Sequence, residues 1–285
     1  MRRSAAASIV MFLVAASLTV GCGPESPKSA SASASFIPTA GVCHKIARQV
    51  EPYAPINCAE SHEVETFHVG AFAGEDASPT RPPTDGSPVR LRAYAACDVQ
   101  ASSFVGGNWR EARLLLRVVL PSTAAWTAGQ RWFRCDLSEV GAAFDPHPVP
   151  RAGTLVSALS TPSSLRHNCY VAGLEAGQLS RMFPMSCTEP HNTEFAGVWT
   201  APAGPYAELP DDAMLDGCLS KIADFADLPN DDDMAARSGA LYFPPEEISW
   251  TAGDRGVRCF LWLEERTVSK SLKSVGVKDF PIPRD

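Results

Sequence analysis

The chain has 285 residues, 45% of them hydrophobic and 20% charged, and a formal charge of −7. That composition supports real hydrophobic cores in one or two domains. The acidity excludes nucleic acid as a partner, because phosphates demand a basic surface; Lys270, Lys273 and Lys278 are too few to reverse it.

Taken in chain order, Arg2 and Arg3 precede an apolar run from Ala5 to Val20, followed by Gly21 and Cys22. A short positive region, a core of this length and a small residue before the cut predict an export signal over residues 1–21, not a spanning helix. The placing of Cys22 resembles a bacterial lipoprotein signal, although Thr19 stands where leucine is more usual. That resemblance implies a diacylglyceryl thioether on Cys22 and a protein lipid-anchored on the outer face of the cytoplasmic membrane. Loss of Arg2 and Arg3 with the signal takes the formal charge from −7 to −9. Residues 22–40 read as a flexible Ser/Ala/Pro tether with nothing to bury. At random-coil scaling it would hold the folded part about 20–25 Å from the membrane.

The remainder repeats itself. Trp126-Thr-Ala-Gly-Gln-Arg-Trp-Phe-Arg-Cys135 returns as Trp250-Thr-Ala-Gly-Asp-Arg-Gly-Val-Arg-Cys259, with seven of ten positions identical. Upstream, Cys58-Ala-Glu-Ser-His62-Glu-Val-Glu65 matches Cys187-Thr-Glu-Pro-His191-Asn-Thr-Glu194. Such self-similarity predicts two copies of one folding unit: a module over 41–140, a Pro/Ser linker over 141–165, a second module over 166–266 and a tail over 267–285.

Eight cysteines fall four to a module: Cys43, Cys58, Cys97 and Cys135, then Cys169, Cys187, Cys218 and Cys259. In an exported chain, matched even sets predict disulfides. Confining bonds within modules leaves nine of the 105 pairings, and neighbours in order are favoured among them. A zinc site on Cys58-x3-His62 lacks a second close ligand pair, so neither metal nor cofactor is expected.

In the first module, residues 41–46 and 54–58 predict a short strand pair, and 63–72 a strand. After an irregular run over 74–88, Leu91, Tyr94, Cys97, Ala101 and Phe104 share one helical face, which carries Cys97 inward. Residues 113–120 are strongly β-forming until Pro121; the Trp-Thr-Ala-Gly segment turns the chain and 131–137 closes the sheet. In the second module, 193–200 is a strand. Leu215, Cys218, Ile222 and Phe225 share a helical face, and 241–243 and 257–263 are strands. The fold class is therefore α+β: two tandem homologous modules, each a small, mainly antiparallel sheet with one disulfide-pinned helix.

The order Cys187-Thr-Glu-Pro190-His191-x-x-Glu194-Phe-Ala-Gly197, Gly204-Pro205-Tyr206, Cys218, then Trp250 through Asp254-Arg255 to Cys259 resembles the septum-formation domain of actinobacterial envelope proteins. The first module departs from it: Ser61 replaces the proline, His68 stands at the glycine, and Gly-Pro-Tyr is absent. The resemblance implies location and context, the envelope and cell division, more than a mechanism.

The candidate polar cluster is His62, Glu65 and Arg131, matched by His191, Glu194 and Arg255. A His beside a carboxylate can be a general base or half of a metal site. Recurrence in both modules and the lack of a nearby nucleophile favour a structural use. In that reading the His caps its turn and the Glu accepts from backbone or from the matched arginine. Trp126 and Trp250 are expected to pack over their own turns, and Arg134 and Arg258 to point outward as solvated strand charges. No serine-hydrolase, phosphate-loop, metalloprotease or transpeptidase motif is present. The expectation is a non-enzymatic protein binding an envelope or division protein or cell-wall polymer. The alternative is a metal- or small-ligand-binding lipoprotein that uses the His/Glu pairs or the cleft between modules.

Overall fold

Alternation around Glu65 becomes a strand because one face meets a helix and the other is sealed by polar pairing. In a computed structural model describing residues 36–47, 53–280 and 282, the first half holds β1 (Val42–His44), β2 (Val64–Ala71), β3 (Leu114–Val119) and β4 (Trp132–Ala142). Their order is β1-β2-β4-β3, and β5 (Asp145–Pro148) pairs with β4. Every pairing is antiparallel. Helix α1 (Pro88–Val105) begins where Ser87 accepts from Arg90 N–H, and ends at Gly106 in the left-handed conformation, φ 75°. Its buried Tyr94, Cys97, Ala101 and Val105 pack on Leu114, Leu116, Val118 and Leu137. A short helix, α2 (Thr123–Thr127), carries the buried Trp126.

The second half repeats the plan with β6 (Cys169–Glu175), β7 (Gln178–Met185), β8 (Thr193–Thr200), β9 (Gly239–Phe243) and β10 (Gly256–Trp262). The order is β7-β6-β8-β10-β9, so β6-β8-β10-β9 reproduces the first sheet and β7 is added at its edge. Ala176 (φ 52°) and Gly177 (φ 79°) make the two-residue turn of the β6–β7 hairpin. Helix α3 (Asp211–Ala226) buries the expected Cys218 and Ile222, while at the ends of the stripe Met214 and Ala226 are buried in place of Leu215 and Phe225. Smaller helices α4 (Met234–Arg237), α5 (Glu247–Ala252) and α6 (Gly276–Asp279) complete it.

Four disulfides join Cys43 to Cys58, Cys97 to Cys135, Cys169 to Cys187 and Cys218 to Cys259. Cys97–Cys135 pins α1 to β4, and Cys218–Cys259 pins α3 to β10. The export signal, Cys22 and the tether up to residue 35 lie outside the described residues.

The bare linker over 141–165 and the tail outside the modules need correction. Arg151 and His62 exchange both backbone bonds at 2.9 Å, and Val268 and His191 do the same at 2.9 Å. Leu155 and Leu272 are then buried, at 0% and 2% exposure. Ser157 (φ 53°) and Ser274 (φ 55°) turn the chain so that their N–H groups donate to Phe104 O and Phe225 O at the ends of α1 and α3. Each half thus ends in a strap that ties its second strand to its helix. Few apolar residues are needed for that, which is why composition alone reads these stretches as solvated.

The described residues form one compact unit, because the two halves are bolted together. Arg110 donates to Asp98 Oδ1 at 2.6 Å in its own half and to Asp254 Oδ1 at 2.8 Å in the other. Arg258 reaches back to Arg110 O at 3.1 Å and Leu114 O at 3.0 Å. The bolt accounts for two of the three positions at which the Trp-Thr-Ala-Gly motifs differ. Asp254 stands where the first copy has Gln130, and Gly256 where it has Trp132. A Cβ on Gly256 would lie 2.3 Å from Arg110 Cδ, so a side chain there would displace the arginine.

Candidate functional site

The matched His/Glu pairs lie at the start of β2 and β8, beneath the straps. His62 Nδ1 bonds Glu60 O at 2.8 Å and His191 Nδ1 bonds Glu189 O at 2.7 Å, so each imidazole closes the turn behind its disulfide. Glu65 accepts from Thr154 Oγ1 at 2.5 Å and Leu155 N at 2.6 Å. Glu194 accepts from Ser271 Oγ at 2.7 Å, Leu272 N at 2.8 Å and His191 Nε2 at 3.1 Å. All four residues are at most 2% exposed. Each carboxylate is thus held by a main-chain N–H and a hydroxyl, and Glu194 also by the His191 ring. Equivalent cavities adjoin the two straps, about 780 Å³ beside Glu65, Phe104 and Val156 and about 470 Å³ beside Glu194, Phe225 and Lys273.

The expected Glu–Arg pairs do not form. Arg131 stacks on Trp126 with Cζ 4.2 Å from the ring centroid, and donates to Ala77 O and Trp126 O, both at 2.7 Å. Arg255 stacks on Trp250 at 4.2 Å and donates to Trp250 O and Asp254 O. Each tryptophan N–H in turn bonds a loop carbonyl, Pro79 O or Gly204 O, at 2.7 Å. Gly129 and Gly253 take positive φ, 96° and 126°, to close these turns. Recurrence of an arginine and a glutamate therefore reports two separate local tasks. Glu194 lies opposite Leu261 on β10, roughly 20 Å along the strand from Arg255. Glu194→Gln and Arg255→Met will each destabilise, and the double variant will equal their sum within about 0.5 kcal/mol in denaturant titrations. Coupling above about 1 kcal/mol would restore the pair.

Arg134 and Arg258 also differ from expectation: neither is a solvated strand charge. Arg134, 1% exposed, donates through Nε to Asp136 at 3.0 Å; Asp136 also accepts from Thr66 Oγ1 at 2.7 Å, and His44 Nε2 lies 3.2 Å from that hydroxyl. Burial, and then the positive Arg134, push the His44 imidazole down to about 4, so it is neutral at physiological pH. The signal for this network lay in comparing the halves. By register, His44, Thr66 and Asp136 correspond to Tyr170, Phe195 and Phe260, so the first sheet is polar where the second is aromatic.

Cys43, Cys58 and Glu65 place their ligand atoms within 4.8 Å of one another, as do Cys169, Cys187 and Glu194. In both sets the two sulfurs belong to one disulfide and the carboxylate is already bonded. A disulfide offers no thiolate, so these sets suit a soft metal poorly.

The septum-formation family model matches residues 40–259. The chain belongs to the septum-formation family. The match runs unbroken across both halves, so it does not separate two copies of the septum-formation domain; the repetition is a property of the fold. Membership makes this a cell-division-related envelope protein, and its four disulfides accord with export into an oxidising compartment. No curated protein and no solved structure matches the chain.

Proposed function

We propose that this septum-formation protein is held at the outer face of the cytoplasmic membrane by a lipid on Cys22 and acts by binding, not catalysis. Its partner is another envelope or division protein or the cell-wall polymer. The observation that supports binding is how fully the matched carboxylates and arginines are occupied. Glu65, Glu194, Arg131 and Arg255 spend their groups on main-chain and hydroxyl partners, and the eight cysteines are paired. A general base needs a free lone pair near a substrate proton, and the His/Glu pairs sit beneath straps instead. Anchoring is read by intact mass of the membrane-extracted protein. The mature chain is expected to begin at Cys22 with a diacylglyceryl addition, and Cys22→Ser to accumulate as unmodified precursor or to be shed. A mature protein starting elsewhere defeats the anchor.

A further inference from the structure

The second sheet opens beyond the beginning of β8. β6 pairs with β8 only at Cys169–Glu194 and Tyr170–Thr193, yet β6 continues to Glu175 beside β7, while β10 ends at Trp262, level with Thr193 of β8 and Gly239 of β9. Between these two arms lies a cleft of about 770 Å³. Asn192, just ahead of β8, bonds both sides. Its amide pairs with Ala172 N and O at 2.8 and 2.9 Å and donates to Glu264 O at 2.6 Å.

Each arm lays a planar side chain over a glycine directly across the ladder. A Cβ on Gly173 would lie 2.7 Å from Arg181 Nε, and one on Gly239 would lie 2.9 Å from Trp262 Cε3. Any larger residue at either position would push the guanidinium or the indole away. The first half has no such arrangement: by register, Leu115 opposite Ser138 replaces Gly239 opposite Trp262, and β7 has no counterpart. Three departures from the repeat thus meet at one cleft.

The groups there are unspent. Trp262 Nε1–H is buried with no acceptor. Arg181 is exposed and has no hydrogen-bond or ion-pair partner among the described residues. Glu264 and Glu265 line the same cleft as exposed acceptors, whereas Arg266 already donates to Arg237 O at 2.9 Å. An indole offers an apolar surface to the C–H face of a sugar ring. Free carboxylates accept sugar hydroxyls, and a free guanidinium is the natural partner of a carboxylate.

We propose that the cleft between the β6–β7 hairpin and Trp262 binds a carboxylate-bearing glycan, with the sugar against Trp262 and its carboxylate on Arg181. The proposal rests on the envelope-binding reading and names the wall polymer, rather than a protein, as the ligand. The test is calorimetric titration of the full-length protein in detergent with two probes. One is the disaccharide of N-acetylglucosamine and N-acetylmuramic acid; the other is diacetylchitobiose, which lacks the carboxylate. The acidic disaccharide is expected to bind about tenfold or more tightly than the neutral one. Arg181→Met, at an exposed position, should abolish that preference, and Trp262→Phe should weaken both sugars about tenfold with the near-ultraviolet dichroism of the fold retained. Equal binding of the two sugars, or an unchanged preference in Arg181→Met, overturns the proposal. Sedimentation with purified cell-wall sacculi separates it from the reading beneath it. If wild type and both variants sediment alike, envelope binding stands and the cleft is wrong; if the wild type neither sediments nor binds either sugar, wall binding fails with it.

Discussion

Arg110→Met will lower the stability of the folded chain by about 3–5 kcal/mol, seen as a lower denaturant midpoint with an unchanged slope. Arg110 touches a carboxylate in each half: Asp98 Oδ1 at 2.6 Å and Asp254 Oδ1 at 2.8 Å. Asp254 is 3% exposed, so removing the guanidinium leaves a buried carboxylate with Gly256 N, at 3.0 Å, as its hydrogen-bond donor and only the electrostatic pull of Arg258 and Arg255 beside it. Methionine keeps the stem over Trp109, where Arg110 Cζ now lies 4.3 Å from the ring centroid, so the loss is electrostatic rather than one of packing. Adding Asp254→Asn should recover part of the loss, because the buried charge that has lost its ion-pair partner goes with it. A change below about 1 kcal/mol in Arg110→Met would mean that the halves are not held through this residue.

Replacing Cys97 and Cys135 together by alanine will cost about 4 kcal/mol, the chain-entropy value for a bridge spanning 38 residues. For a chain of this size that corresponds to a fall in melting temperature of about 10 °C. Both cysteines are fully buried between α1 and β4, so the reduced chain also loses the contact that seats the helix. In the untouched protein, alkylation under denaturing, non-reducing conditions should label none of the eight paired cysteines. High-yield labelling of two or more would show open thiols and revive a metal or reactive-thiol use.

What could be read from sequence follows from how each signal is carried. Strand β8 falls on the predicted 193–200, a stretch with Phe195, Val198 and Trp199 that ends ahead of Pro202, and the disulfides follow from four cysteines per copy in matched order. The straps were hidden because their information is sparse. Thr154-Leu-Val-Ser157 matches Ser271-Leu-Lys-Ser274 only loosely, and the shared feature, a serine at positive φ, is a backbone property that no side chain announces. The β6–β7 hairpin escaped because β7 is largely exposed and contains Pro184, which reads against a strand. The Glu–Arg expectation failed for a different reason. Two positions that recur together need only share a fold, not a contact; Arg131 and Arg255 answer to Trp126 and Trp250, while Glu65 and Glu194 answer to the straps.

A cell-based substitution most directly asks whether this division-related protein works by binding while its matched His/Glu pairs hold the fold. His62→Asn with His191→Asn keeps an N–H donor for Glu60 O and Glu189 O but removes both imidazole bases. Septum spacing is then scored against the amount of folded, membrane-attached protein. Septation is expected to follow that amount alone, and to be normal wherever the double variant accumulates to the wild-type level. Defective septation at a full level of folded protein would contradict a structural role and return His62 and His191 to chemistry.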